Sequence, residues 1–291
     1  MDFMRSLAPA LAFLFAATQV TLAQDPSVFD AGLDNQMGLV FSPDGDTAFW
    51  VAWNGRWGSD SAGQRTIYMS QKKNGSWSSP SAMPFSGPYS DDDPFVSPDG
   101  RWLYFVSNRP ASDDDKSLDG DIWRYCLGDS RDLERLSINS NVAEYSPVVT
   151  ESGTLYFAST REGGYGQGDL YMATRNGPDF NTPTTLGASV NSPTGEWNLW
   201  VSADETEMIF EASSRATNVS ASGDLYYSYR SALGWEPAVP LDRLNTSGSD
   251  LMPRMHPNNR TLYFTTAPVG GTARIRVAER SELTGPFGPP R

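Results

Sequence analysis

A short turn sequence recurs five times along the chain at nearly constant spacing, and this repeat restricts the possible folds more than any other feature. Ser42-Pro43-Asp44-Gly45 is followed 55 residues later by Ser97-Pro98-Asp99-Gly100. Three degenerate copies begin at Thr150, Ser202 and His256, after further steps of 53, 52 and 54 residues. Pro, Asp, Asn and Gly suit the backbone angles of tight turns. Such regular spacing predicts five structural units of one kind.

Each turn is followed by short β-rich runs, of which Leu103-Tyr104-Phe105-Val106 and Ile122-Trp123-Arg124 are examples. Aromatic and branched residues favour strands, and no helical periodicity separates the runs. Four short strands in a unit of about 50 residues are typical of a β-propeller blade. We therefore predict an all-β, five-bladed propeller of four-stranded blades. Residues 27–33 resemble an unpaired fourth strand, and we expect them to close the ring in the last blade, where an open edge would promote aggregation.

The first residues have the pattern of a secretory signal. Arg5 precedes an apolar run at residues 7–17, and Thr21-Leu22-Ala23 places small residues before a cut at Gln24. Eleven apolar residues are too few to cross a bilayer, and no later segment is long and apolar enough. The sequence therefore predicts a signal peptide at residues 1–23, a single propeller domain at residues 24–291, and export to the periplasm or the medium.

The repeat resembles a known propeller family. Ser-Pro-Asp-Gly, Leu-Tyr-Phe-x-Ser-x-Arg and Gly-Asp-Leu-Tyr are similar to the WD-like repeats of TolB-type propellers, most clearly in LYFASTREGGYGQGDLY at residues 155–171. TolB has six such blades behind an α/β domain, whereas this sequence shows five repeats and neither that domain nor an OmpA-like one. The resemblance implies the scaffold, and it implies no role in the Tol system or at peptidoglycan.

The most regular polar column lies six residues before each turn. Its members are Gln36, Asp91, Glu144, Glu196 and Asp250. The first strand of a propeller blade lines the central channel, so these side chains form a candidate binding ring at one channel mouth. The alternative is that each acid forms an inter-blade tie with the backbone or with an arginine. Arg109, Arg161 and Arg215 recur after the second strands. We predict that they pair with acids of adjacent blades, and for Arg161 with an acid of its own or an adjacent blade; a clamp for an anion is the alternative.

Departures from the repeat are the second source of candidates, because residues shared by every blade mainly serve the scaffold. Trp53, Arg56 and Trp57 occupy a loop of the first unit, and Trp197 lies on the first strand of the fourth. Flat aromatic rings beside carboxylates are typical of a site for a sugar or an aromatic ligand. Core packing is the alternative for the tryptophans.

Composition limits the chemistry available. One cysteine and one histidine exclude a Cys/His zinc site, and a formal charge of -13 argues against nucleic acid. The acidic loop with Asp113, Asp115 and Asp119 is a weak calcium candidate without EF-hand spacing, and no other cofactor is indicated. His256 replaces the turn serine, which favours a turn role over that of a catalytic base.

These observations favour binding over catalysis. We expect an exported, monomeric binding or interaction module, with no catalytic residue assigned and no membrane span. Its ligand or partner site is predicted at one mouth of the channel, for an envelope or secreted protein or a glycan. The alternative is a carbohydrate-active, glycoside hydrolase-like enzyme that uses channel carboxylates. In an enzyme of that kind, one acid and one base have distinct environments, whereas scaffold acids are paired with arginine.

Overall fold

The computed structural model describes residues 29, 31–33, 35–55, 63–112, 117, 119–130, 132–220, 222–282, 287–288 and 290. No α-helix occurs among them, so this part of the chain contains no helix long and apolar enough to cross a membrane. The predicted signal peptide at residues 1–23 lies outside the described residues.

Twenty-three strands are described, and they fall into five consecutive groups. Blade 1 contains β1 (Asn35–Phe41), β2 (Thr47–Trp53), β3 (Arg65–Lys73), β4 (Ser76–Trp77) and β5 (Ser81–Ala82). Blade 2 contains β6 (Asp91–Val96), β7 (Trp102–Ser107), β8 (Asp121–Cys126) and β9 (Leu133–Arg135). Blade 3 contains β10 (Glu144–Val149), β11 (Leu155–Ser159), β12 (Asp169–Ala173), β13 (Arg175–Asn176), β14 (Asp179–Phe180) and β15 (Thr184–Thr185). Blade 4 contains β16 (Gly195–Val201), β17 (Glu207–Ser213), β18 (Asp224–Ser231), β19 (Gly234–Trp235) and β20 (Val239–Pro240). Blade 5 contains β21 (Ser249–Met255), β22 (Thr261–Ala267) and β23 (Arg274–Glu279).

The blades form a closed ring. Each is an antiparallel sheet in which the first strand pairs with the second and the second with the third. The first strands contact one another in the cyclic order β1, β6, β10, β16, β21 and back to β1, so they surround a common axis. Large aromatic side chains such as Trp50, Phe105 and Phe157 fill the spaces between blades. The five-bladed propeller predicted from the repeat is confirmed.

Antiparallel pairing gives the ring two different faces. The Ser-Pro-Asp-Gly turns join the first and second strands on one side, which we call the turn face. The first strands begin, and the second strands end, on the opposite side, which we call the loop face. Asp91 lies opposite Ser107 in this register, and Glu144 lies opposite Ser159.

A β-bulge interrupts every first strand three positions or fewer from its start. The residue at the bulge has a positive φ in all five blades, between 42° and 61°, and these residues are Gly38, Asp93, Ser146, Asn198 and Met252. The Ser146 hydroxyl reaches both Asp93 and Asn198, at 3.0 Å each. Contacts among three consecutive blades place the bulge side chains at the axis. A bulge re-aims one side chain while it leaves the rest of the strand paired.

The junction between the last blade and the first is closed by side-chain packing. Residues 27, 28 and 30 of the predicted closing strand lie outside the described residues, and the described part of 29–33 forms no strand. Phe29 is nevertheless fully buried, with its ring 5.0 Å from Trp77 and 5.6 Å from Trp50. It belongs to the same apolar cluster as Tyr263 and Val277 of blade 5. The N-terminal segment therefore inserts an aromatic ring between the two terminal blades.

Candidate functional site

The predicted carboxylate ring lies inside the blades. Asp91, Glu144, Glu196 and Asp250 are each 0% exposed, although they stand at the loop-face end of the first strands as the repeat predicted. A ligand in the channel cannot reach these side chains without displacing the surrounding structure. The sequence analysis placed these residues on the correct strands. The bulge two residues later turns a different set of side chains towards the axis.

Three of the four buried acids are paired with the recurring arginines. Arg109 contacts Asp91 at 2.6 Å, and Arg161 contacts Glu144 and Arg215 contacts Glu196 at 2.8 Å each. Each pair lies within one blade, which is one of the two arrangements predicted for Arg161. For Arg109 and Arg215 the sequence predicted an adjacent blade, which is wrong. The reason is that the first and second strands of a blade form a hairpin. The second strand passes the start of its own first strand two residues before each arginine, so the arginine meets the acid of the same blade. Burial raises the pKa of Asp91 and of Glu196, and the guanidinium beside each carboxylate opposes that rise.

The two members of the ring without an arginine use neutral donors. Asp250 accepts from the Thr266 hydroxyl at 2.6 Å and from the Thr246 backbone N–H at 2.5 Å. The Gln36 amide oxygen accepts from the Trp50 indole N–H at 2.8 Å, and its NH₂ donates to the Leu33 carbonyl. All five positions therefore tie the blade edge to its own loops, which is a scaffold role.

Arg254 closes the axis below the loop face. It is 1% exposed and extends from blade 5. Its guanidinium donates to the carbonyls of Leu199 in blade 4 and of Pro253, both at 2.9 Å. It also donates to the Pro94 carbonyl of blade 2 at 3.4 Å and lies 4.0 Å from Asp93. Since blade 2 is not a neighbour of blade 5, the side chain crosses the centre of the ring.

A chain of polar side chains lies beside this arginine. Asp93 accepts from the backbone N–H of Ser146 at 2.9 Å, and the Ser146 hydroxyl contacts Asp93 and Asn198. The Asn198 amide in turn contacts the carboxyl of Glu211, which is on the second strand of blade 4. These four side chains and Arg254 form the floor of the loop-face opening.

Two carboxyls near the opening have strongly raised pKa values. Burial, supported by the negative charges of Asp93, Asp250 and Asp224, raises the pKa of Glu211 to about 8 despite the Asn198 hydrogen bond. Burial also raises the pKa of Asp92 to about 6, against the attraction of Arg65. Glu211 is therefore mainly protonated at neutral pH, which makes it a hydrogen-bond donor.

Partly exposed groups surround the floor. Arg65 of blade 1 pairs with Asp92 of blade 2 at 3.1 Å and lies over the Trp53 ring at 5.1 Å. The rings of Tyr145 in blade 3 and Trp197 in blade 4 meet edge to face, with centroids 5.6 Å apart. We call Arg65, Asp92, Tyr145 and Trp197 the mouth cluster. It extends over four blades and combines one cation, one carboxyl and two aromatic rings, which suits binding of a polar ligand with a flat face.

The predicted aromatic candidates are divided by the structure. Trp197 joins the mouth cluster, packed above Gly168 and Gly195. Trp53 lies at the same face but is 6% exposed, with its indole N–H donating to the Gly63 carbonyl at 2.9 Å. Arg56 and Trp57 lie outside the described residues. The sequence therefore identified one member of the mouth cluster, Trp197.

The sequence contains a signal for the floor residues Arg254 and Glu211 that was missed, because each is a charged residue at a repeat position that is apolar in most other blades. Arg254 occupies the first-strand position held by Val40, Phe95, Val148 and Trp200 in the other blades. Glu211 likewise stands in the second strand where its counterparts include Val51 and Val106. Burying a charge is costly unless it is paired or neutralised, so such substitutions mark positions of special function.

The calcium candidate is only partly described. Asp113 and Asp115 lie outside the described residues, and Asp119 is half-buried. Among the residues that the structure describes, no three His, Cys, Asp or Glu side chains are grouped as metal ligands would be. Calcium binding stays a prediction.

Comparison with known proteins agrees with this architecture at the level of the fold. No family model and no curated protein matches the sequence. Among solved structures, TolB from Acinetobacter baumannii superposes with a TM-score of 0.54 and 15% identity, over 88% of this chain and 57% of that one. A putative TolB from Agrobacterium tumefaciens gives 0.53 and 13%, over 84% and 77%. The tricorn protease gives 0.51 and 11%, over 86% of this chain and 25% of that one. The chain thus spans little more than half of the Acinetobacter protein, and it is a TolB-like β-propeller in its fold.

Proposed function

We propose that this protein is an exported binding module whose ligand or partner sits on the loop face, over the mouth cluster. One observation carries the proposal: among the described residues around the loop-face opening, the mouth cluster brings aromatic rings and a charged pair together while leaving them partly exposed. The four repeated acids nearby are sealed inside the blades. Arg254 closes the axis beneath, so the ligand rests on the floor and does not pass through the ring.

The chemistry of the cluster fits a glycan or a segment of an envelope or secreted protein. Aromatic edges and faces stack on sugar rings and on flat side chains, and Arg65 with Asp92 offers both donors and acceptors. A likeness to TolB structures supports an interaction scaffold and does not identify the ligand. The unequal blades supply the asymmetry that a specific ligand needs.

The hydrolase alternative receives no support from the ring. Three of its carboxyls are neutralised by an arginine of the same blade, and all four are inaccessible. An acid and base pair for glycoside hydrolysis must flank the substrate bond at roughly 5–9.5 Å from each other. We therefore place binding ahead of catalysis.

Affinity capture with a matched control tests the proposal. Immobilised protein is exposed to envelope extract, to culture fluid and to a glycan array, as wild type, Trp197→Ala and Tyr229→Ala. Tyr229 is an exposed aromatic residue on the third strand of blade 4, opposite Glu207 near the turn face. We expect wild type and Tyr229→Ala to retain the same protein or glycan, and Trp197→Ala to retain at least tenfold less. Equal retention by all three proteins would contradict a site at the mouth.

Export is a separate part of the proposal. It is supported by the arginine, the apolar run and the small residues before Gln24. Sequencing the N-terminus of protein recovered from the periplasm or the medium should give Gln-Asp-Pro as the first residues. Recovery of full-length chain from the cytoplasm alone would overturn it.

A further inference from the structure

The turn face carries an open cleft between blades 1 and 2. Its volume is about 610 Å³, within the range of ligand sites. Phe49, Met69, Met83 and Leu127 supply apolar walls, and the turn residues Asp44 and Asp99 stand in its lining. The mouth cluster is on the opposite face, so this cleft is independent of the proposed function.

At two other blade junctions the corresponding space is filled by side chains. Between blades 3 and 4, the Glu205 carboxylate accepts from the hydroxyls of Thr150, Ser152 and Tyr156 at 2.5–2.9 Å. Glu205 stands at the turn position that Gly100 holds in blade 2, where no side chain is available. In blade 1 that position is Gly45, and the His256 ring packs against it from blade 5.

A second difference enlarges the cleft. The second-strand residue that faces the next blade is Tyr156 in blade 3, and its hydroxyl completes the Glu205 network. In blade 1 the same position is Phe49, which has no hydroxyl. The loss of both the carboxylate and the hydroxyl leaves an apolar floor. Methionines at such a floor adapt to ligands of different shape.

The rim of the cleft is negatively charged. One oxygen of Asp44 accepts from the Ser42 hydroxyl at 2.5 Å and from the Asp46 N–H at 3.0 Å. Asp99 makes the same two bonds, with Ser97 and with the Arg101 N–H. Within the described residues, the second oxygen of each carboxyl has no hydrogen-bond partner. The Ser42 and Asp46 hydrogen bonds hold the pKa of Asp44 below its usual value, so this carboxyl is ionised at neutral pH.

We propose that this cleft, defined by Asp44, Phe49, Met69, Met83, Asp99 and Leu127, binds an extended segment of a partner protein that presents a bulky apolar side chain beside a lysine or arginine. The apolar side chain enters the floor, and the cation lies between the two turn carboxylates. Charge complementarity favours a basic partner segment, because both rim groups are acidic in a chain of net charge -13.

The fifth turn of the chain shows which residue can replace the turn aspartate without disrupting the turn. In the fifth turn, Asn258 takes the position of Asp44 and Asp99, and its side-chain oxygen accepts from the N–H groups of Arg260 and Thr261 at 2.9 and 3.0 Å. Asparagine therefore preserves the turn. The double variant Asp44→Asn/Asp99→Asn removes both rim charges, and Asp204→Asn makes the same change in the turn of blade 4, away from the cleft.

Selection from a random heptapeptide phage library on the wild-type protein tests the proposal. We expect enriched peptides to contain a bulky apolar residue within two positions of Lys or Arg. Their synthetic copies should bind Asp44→Asn/Asp99→Asn at least tenfold more weakly, and Asp204→Asn and Trp197→Ala as well as wild type. Equal melting temperatures establish that the variants are folded. Absence of enrichment, selection of acidic peptides, or unchanged affinity of the double variant would overturn the proposal. If Trp197→Ala loses binding instead, the peptide binds at the loop face, and this result would also overturn the proposal.

Discussion

Replacing Glu211 with glutamine should change how the stability of the protein depends on pH. Glu211 is 7% exposed and its pKa is raised to about 8 by burial and by three neighbouring acids. The folded protein therefore holds a proton that the unfolded chain releases above its ordinary pKa of 4.5. Stability from this group is complete below pH 4.5 and is lost as the pH rises through about 8, the reverse of a salt-bridged carboxylate.

The size of the effect follows from the shift. Each pKa unit corresponds to about 1.36 kcal/mol, so a rise from 4.5 to about 8 makes the wild type less stable at pH 8 than at pH 4.5 by up to about 5 kcal/mol. In Glu211→Gln this contribution is absent, because the amide keeps the shape and stays neutral throughout. The difference in unfolding free energy between the two proteins should therefore change by several kcal/mol across this range.

Urea unfolding of both proteins at several pH values from 5 to 8 measures the difference directly. Other titrating groups affect both proteins alike and cancel, apart from those close enough to Glu211 to respond to the change. Asp92→Asn is a useful comparison, since the pKa of Asp92 is raised to only about 6 and its effect should end at a lower pH. A constant difference between wild type and Glu211→Gln from pH 5 to 8 would refute the reasoning, because Glu211 would then be ionised in the folded protein as it is in the unfolded chain.

Three further perturbations test the scaffold. Arg161→Ala leaves the fully buried Glu144 without its cation and should lower the unfolding free energy by about 3–5 kcal/mol; a loss below about 1 kcal/mol would mean that the pair is effectively solvated. Phe29→Ala empties the junction between the terminal blades and should cost about 3–5 kcal/mol in urea unfolding, so an unchanged midpoint would exclude a closing role. Burial lowers the pKa of His256, so stability should fall as the pH drops below about 6.5, where the unfolded chain binds the proton first. In His256→Asn that part of the acid loss should disappear, and identical acid profiles would contradict it.

The repeat was sufficient to predict the blades, because each unit contains the turn residues and the strand pattern of one sheet. It also predicted that Arg161 has a carboxylate partner, although the hairpin that selects its own blade is visible only in the structure. The residues at the channel axis were harder to predict from the sequence. Side chains alternate along a regular strand, so Asp91 and Asp93 are expected on the same face. The bulge at Asp93, with φ of 51°, breaks that alternation and turns Asp93 alone towards the centre.

The same bulge explains why the most regular column lies inside the blades and not at the axis. Every blade needs the tie between its first strand and its own loop, so Glu144 and its counterparts stay acidic or polar. The axis positions have five different environments, and they carry Gly38, Asp93, Ser146, Asn198 and Met252. Chemical variety at aligned positions, rather than agreement, was therefore the better indicator of the opening. Neither Arg56 nor Trp57, which the sequence also favoured, lies among the described residues.

The protonation of Glu211 also settles the hydrogen bonds of the floor. Ser146 has one hydroxyl hydrogen, yet its oxygen lies 3.0 Å from two acceptors, Asp93 and the Asn198 carbonyl oxygen. A half-turn of the Asn198 amide exchanges its oxygen and nitrogen, which are equivalent in shape. A protonated Glu211 then donates to the Asn198 oxygen, the Asn198 nitrogen donates to Ser146, and Ser146 donates to Asp93. In this arrangement each of the three side-chain hydrogen bonds joins one donor to one acceptor, whereas an ionised Glu211 leaves Ser146 with one hydrogen for two acceptors. The floor of the opening is thus best satisfied with Glu211 neutral, which is the state that its burial already favours.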